Sequence, residues 1–113
     1  MIVNVVFHVD EIEKWELALA NVHNLLAGIE VERSQVEVVA NGKGVEIFAS
    51  PDEKSLHTMT ILADRGVRFC ACQNSLKSHN INEEEVPEFF VVVPIGVLEL
   101  AEKQQKGFAY IKP

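Results

Sequence analysis

The residues best suited to chemistry in this sequence are two cysteines two positions apart, Cys70 and Cys72. A thiol reacts through its thiolate, and unpaired backbone N–H groups at a helix start can lower its pKa from about 8.5 by one or more units. Cys72 closes an apolar run and precedes Gln73-Asn74-Ser75, so it is placed for such activation. The opposing reading is burial: cysteine is among the most often buried residues, and at a strand end it commonly serves as a small hydrophobe. Cys70 points, in a regular strand, to the same face as Cys72 but deeper in the sheet. It reads as core, with a resolving-thiol role as the lesser alternative, since two side chains on one strand make a strained disulfide.

Other site types have weaker support. Cys70, Cys72, His57 and His79 lack the paired spacing of a structural zinc site, so no metal and no cofactor is expected, and His57 and His79 read as solvent-facing. There is no Walker loop, no G-x-G-x-x-G after the first strand and no G-x-S-x-G elbow, which removes the simplest nucleotide, dinucleotide and hydrolase readings. His8 reads as a hydrogen-bonded core histidine, and Glu83-Glu84-Glu85 as a solvated turn.

The elements that must position Cys72 follow from periodicity. Ile2 to Val9 is almost continuously apolar and β-branched, as in a strand covered on both faces. Ile12, Trp15, Leu19, Val22, Leu26 and Ile29 recur at helical spacing, with Asp10 and Glu13 as expected N-cap and N3 partners. Val36 to Ala40 reads as a second strand ended by Asn41-Gly42-Lys43-Gly44, a tight turn. Ser50-Pro51-Asp52-Glu53 supplies a cap, an N1 proline and an N3 acid for a helix running to about Asp64 and stopping at Gly66. Val67 to Cys72 is a third strand, and the polar stretch from Lys77 to Glu88 a loop with one helical turn. Phe89 to Val93 reads as a fourth, buried strand, Val97 to about Lys106 as a helix closed by Gly107, and Phe108 to Ile111 as a fifth strand. Alternation of this kind predicts an α/β fold with a parallel sheet, helices on both faces and right-handed crossovers. Ligand sites in such sheets gather beyond the carboxyl ends of the strands. Those ends carry His8 and Asp10, Asn41 and Gly42, Cys72 and Asn74, and Pro94 and Gly96. As isolated residues, Asp10 is a helix cap and Asn41-Gly42 a turn, yet each can line a pocket around Cys72.

Bulk properties narrow the partners. With 113 residues the expectation is one domain spanning 1–113 with its own core. A formal charge of −7 makes nucleic acid and anionic membranes unfavourable partners, and residues 1–56 hold ten acids against four bases. No apolar run approaches the roughly 20 residues of a membrane span, and no secretory leader is evident. Two cysteines in a chain of this kind suit a reducing cytoplasm rather than a disulfide framework.

Several segments together resemble the DsrE/DsrF-like family of sulfur-relay proteins: Val5-Val6-Phe7-His8-Val9-Asp10, Val36 to Gly42, Gly66 to Leu76, Val93 to Leu100, and Gln104 to Ile111. The resemblance covers nearly the whole chain through the order and spacing of all five. It implies a three-layer α/β/α fold with a five-stranded parallel sheet, assembly as a homo-oligomer, trimer or hexamer, and a cysteine at the end of the third strand, here Cys72, that accepts sulfane sulfur as a persulfide. Asn41 and Gly42 match the family loop beside that cysteine, and Gly96 the turn before the last helix. Two departures stand out: the chain is closer to a single-gene branch than to heteromeric relay subunits, and Ile95 replaces a small polar residue. The expectation is therefore a persulfide carrier that meets sulfur donor and acceptor proteins. The rival is an oligomeric module binding a small ligand or protein in the same crevice without thiol chemistry.

Overall fold

Strand side chains alternate between faces, and the apolar residues of this chain obey that rule on two faces at once. A computed structural model describes all 113 residues. Its strands are β1 (Asn4–Val9), β2 (Gln35–Ala40), β3 (Arg68–Cys72), β4 (Phe90–Val93) and β5 (Ala109–Ile111), and its helices α1 (Trp15–Ala27), α2 (Glu53–Asp64), α3 (Gln73–Ser78) and α4 (Gly96–Gln105). The strands form one sheet in the order β4-β3-β2-β1-β5, every pair parallel.

One set of alternating residues, Val5, Phe7, Val9, Val36, Val38, Phe69, Ala71 and Phe90, packs under Trp15, Leu19 and Val22 of α1, Met59 and Leu62 of α2, and Leu76 of α3. The other set, Val6, Val39, Cys70 and Val93, packs with Leu100 of α4 and Phe108. Right-handed crossovers explain the division. The chain steps from β1 to β4 in one direction and returns to β5 in the other, which carries α4 alone to the opposite face. The result is the expected three-layer α/β/α fold with a five-stranded parallel sheet.

Local details depart from the periodicity reading. Asp10 caps nothing: the first helical turn, Ile12–Lys14, begins after Glu11 without a side-chain cap, because the Asp10 carboxylate is drawn to Lys112 at 3.1 Å. Asp52, not Ser50, caps α2, accepting from the Lys54 amide and the Ser55 hydroxyl. The turn after β2 is instead a long 3-10 segment, Gly42–Phe48, that buries Val45, Ile47 and Phe48. Helix α3 starts directly after Cys72 and runs into the stretch from Lys77 read as a loop, and the one helical turn expected there is the 3-10 turn Glu83–Glu85. Strand β4 is an edge strand, and Val91 is 40% exposed.

The 3-10 segment is seated by close backbone approach. Trp15 donates its indole N–H to the Gly44 carbonyl at 2.8 Å, and a Cβ at Gly44 would enter the van der Waals shell of the Val9 carbonyl. Gly44→Ala is expected to lower the unfolding free energy by about 3 kcal/mol through backbone overpacking, measured by urea denaturation. Gly28→Ala, at an ordinary φ with its nearest neighbour 3.7 Å away, should change it by under about 1 kcal/mol.

Candidate functional site

At Cys72 the chain passes from strand to helix without a loop: the residue ends β3 and is itself the N-cap of α3. The first turn of a helix has N–H groups without intrahelical partners, and an N-cap side chain is the group that meets them. The Cys72 side chain makes no cap hydrogen bond to α3, but the Ser75 hydroxyl and the Ser75 and Asn74 amides at the helix start lie near enough to the sulfur to favour its thiolate. From the opposite side, the Gly96 amide at the start of α4 donates to Sγ at 3.2 Å. Burial alone pushes a thiol pKa up. Here the Ser75 hydroxyl and the Gly96, Ser75 and Asn74 amides outweigh it, and Cys72 is held below the ordinary thiol value.

Gly96 and Gly42 make this arrangement sterically workable. A Cβ on Gly96 would stand 3.0 Å from Cys72 Cβ, 3.2 Å from Asn41 Cβ and 3.5 Å from Sγ, so a side chain there would fill the space over the sulfur. Gly42, at φ +53, donates its N–H to Ser75 Oγ at 2.8 Å. That bond occupies a lone pair of the hydroxyl and leaves its proton for Cys72. Asn41 stands behind: its Oδ1 lies 2.7 Å from His8 Nε2, and His8 Nδ1 lies 2.6 Å from the Tyr110 hydroxyl. Since an amide oxygen only accepts, Nε2 is the donor toward Asn41, and the Tyr110 hydroxyl, able to donate or accept, partners Nδ1. His8 is thus hydrogen-bonded as expected, but half-buried near the β1–β5 edge rather than in the core.

The structure gathers Cys72, Asn41, Gly42 and Gly96, and separates the rest. Asn74 contributes its backbone amide while the residue is exposed. Asp10 is tied to Lys112. Pro94 is exposed, on a shallow depression with Val93, Ile95, Leu98, Glu99 and Glu102. Cys72 is only 5% exposed and lines none of the surface depressions of the single chain, so the expected open pocket is replaced by a closed nest around the sulfur. His79 is no solvent-facing residue either: both ring nitrogens are buried without hydrogen-bond partners.

Two features escaped the residue-by-residue reading. Ser75 lies three residues after Cys72, the N-cap to N3 spacing that lets an N3 side chain reach back; a cysteine in the capping position hid the signal. The second is charge inside the sheet. Glu37, 2% exposed, takes Arg68 Nε at 2.8 Å and the Cys70 thiol at 3.0 Å. Glu99 lies opposite, with Lys103 Nζ at 3.9 Å from an oxygen of each carboxyl. Burial, then the Glu37 hydrogen bond and charge, drive the Cys70 pKa far up, so Cys70 is an inert core thiol. Glu37, Cys70 and Glu99 place one ligand atom each within 4.8 Å of one another, donor types that suit a metal. Arg68 and Lys103 already stand beside these two carboxyl groups. The signal was a glutamate within the strand-like run Val36 to Ala40, a charge that a buried strand must pair.

Fold and site together define a parallel α/β/α protein with a thiolate-stabilising nest at the carboxyl end of its third strand. The chain belongs to the DsrE/DsrF-like family, whose model it matches over residues 2–113. It is similar to the solved structure of MTH1491, a protein of unknown function from Methanobacterium thermoautotrophicum, at 37% identity over 98% of this chain and 99% of that one, with a TM-score of 0.87. It shares its fold with BT1422, a conserved protein of unknown function from Bacteroides thetaiotaomicron, at 13% identity, 97% and 94% coverage and a TM-score of 0.74. No curated protein matches the chain. No helix is long and apolar enough to cross a membrane.

Ser75→Ala removes one donor to the sulfur, so the Cys72 titration should move to higher pH. Following thiolate absorbance against pH checks this; an unchanged midpoint means that the hydroxyl plays no part.

Proposed function

We propose that Cys72 is a persulfide carrier. The observation that carries this reading is the Gly96 N–H donated to Cys72 Sγ at 3.2 Å over the start of α3, with the Ser75 hydroxyl and the Ser75 and Asn74 amides acting in the same direction on the thiol, surroundings matched to a negative charge. Thiol–disulfide exchange supplies the mechanism. The Cys72 thiolate attacks the outer sulfur of a donor persulfide; a new S–S bond forms, the donor's S–S bond breaks, and the donor leaves as a thiolate. An acceptor thiolate then attacks the outer sulfur on Cys72, and Cys72 departs as the thiolate it began as. No net oxidation occurs. The same donors meet the charge at both stages, and the closed surroundings slow loss of sulfur to water.

The closure also says what must happen before exchange. With Cys72 5% exposed, the turn carrying Pro94, Ile95 and Gly96 has to yield for a donor to reach the sulfur. That turn leads into an apolar rim: Ile95 is 41% exposed, Val97 59% and Leu98 51%. Our reading gives this rim to a second copy of the chain in a homo-oligomer, and the approach to Cys72 to sulfur donor and acceptor proteins in a reducing cytoplasm. The enclosure equally favours the rival, an oligomeric binding module whose cysteine does no chemistry. Reactivity separates them, because only an activated thiol exchanges faster than a free one.

After incubation with a low-molecular-weight persulfide, mass spectrometry should find one added sulfur on the Cys72 peptide in wild type and Cys70→Ala, and none in Cys72→Ser. Equal uptake by Cys72→Ser defeats the proposal. Sedimentation at micromolar concentration should find an oligomer; a monomer alone removes the assembly.

A further inference from the structure

The group of charges under α4 holds two carboxyl oxygens that have no hydrogen-bond partner. Glu37 Oε2 and Glu99 Oε2 are both buried and both unpaired, on side chains 2% and 11% exposed. Everything else around them is engaged. From β3, Arg68 reaches Glu37 Oε1 at 2.8 Å and Glu99 at 3.8 Å, and Cys70 donates to Glu37 Oε1 at 3.0 Å. From α4 itself, Lys103 stands 3.9 Å from both Oε2 atoms, too far for a hydrogen bond, and 5.3 Å from the centroid of the Phe108 ring before β5. The two carboxyl groups lie with an oxygen of each within 4.8 Å of the other, and since ionised carboxylates can only accept, they leave both atoms unsatisfied. A single proton converts one of them into a donor and satisfies both.

We propose that Glu99 and Glu37 share one proton, that this bond holds the first turn of α4 against β2, and that its loss loosens Gly96 from the Cys72 sulfur. The last clause rests on the persulfide-carrier reading only in what Cys72 does; the latch itself stands on the geometry. Glu99 lies three residues after Gly96, on the same side of α4 as Lys103 one turn further on. Its amide bonds the Ile95 carbonyl at 3.2 Å, so a displacement of Glu99 is passed to the turn that presents Gly96. Two directions agree with the latch. The Glu37 hydrogen bond first, and burial second, raise Glu99 to about 7. Glu37 moves the opposite way: burial raises it, but the bonds from Glu99, Cys70 and Arg68 and the Lys103 charge outweigh that and hold it low. One carboxyl acts as donor and the other as ionised acceptor.

The sign of the effect follows. Folded Glu99 binds its proton more tightly than the unfolded chain does, so its contribution to stability is complete below about pH 4.5 and is lost as pH rises through about 7. Above that, two negative charges face each other beneath α4, and the Gly96 donor to Cys72 weakens.

Carboxyl carbon NMR of the wild-type protein tests the latch without any substitution. One resonance of the pair should titrate near pH 7; ordinary carboxylate titration of both Glu37 and Glu99 overturns the proposal. Glu99→Gln, whose amide donates permanently, should abolish the fall in melting temperature that wild type shows between about pH 6 and 8. The thiolate absorbance curve of Cys72 should deviate from a single titration in wild type and become single in Glu99→Gln. Curves of the same shape in both overturn the coupling to Cys72. Persulfide uptake is measured separately, so a carboxyl pair that titrates as described stands even if Cys72 accepts no sulfur, and normal titration removes the latch while leaving the carrier reading untouched.

Discussion

The rest of the site depends on the absence of a loop after β3. Backbone N–H groups at a helix start need an acceptor, and the usual supplier is a serine, threonine, aspartate or asparagine in the capping position. Here the chain leaves the sheet and enters α3 at one residue, Cys72, and the side chain at the capping position is a sulfur that makes no cap hydrogen bond. A thiol is a weak acceptor and a thiolate a strong one, so the unmet demand of the helix start favours ionisation. The helix start thereby favours the thiolate form of Cys72.

A second helix start completes the arrangement from the other layer. Because the crossover from β4 to β5 runs opposite to the earlier ones, α4 lies alone on its face and begins over the end of β3. Gly96 is the residue that allows the approach: it brings an N–H to 3.2 Å from Sγ where any Cβ would crowd both Cys72 and Asn41. The sulfur is therefore flanked by N–H groups from two layers of the fold, which together outweigh the cost of burying it.

Beneath the same helix the sheet accepts a charge that its apolar neighbours would otherwise reject. Glu37 lies in register beside Arg68 on β3, and the ion pair, the Cys70 thiol and the Glu99 carboxyl are the groups that make its burial tolerable. The arrangement separates the two cysteines chemically. They share a strand and a face, but Cys70 meets a carboxylate, which disfavours its anion, while Cys72 meets amide protons, which favour it.

Much of this was legible from residue order. β-branched runs separated by helical stripes identified five parallel strands and the helices between them, since burial on both faces leaves a continuous apolar signature. The end of the third strand marked Cys72, and the segment order marked the family. Short-range cues failed where long-range contacts won: Asp10 looked like a cap and instead pairs with Lys112, 102 residues away in the chain, and the extent of α3 carried no ordinary cap signal because its cap is a cysteine. The partners of a charge were likewise unreadable, as Glu37 is joined to Arg68, Glu99 and Lys103 only once three separate elements are stacked. Periodicity records which face of an element is apolar, because burial acts on each residue singly. The state of a thiol or a carboxyl is decided by the few groups within hydrogen-bonding reach, and only the packed tertiary structure brings those groups together.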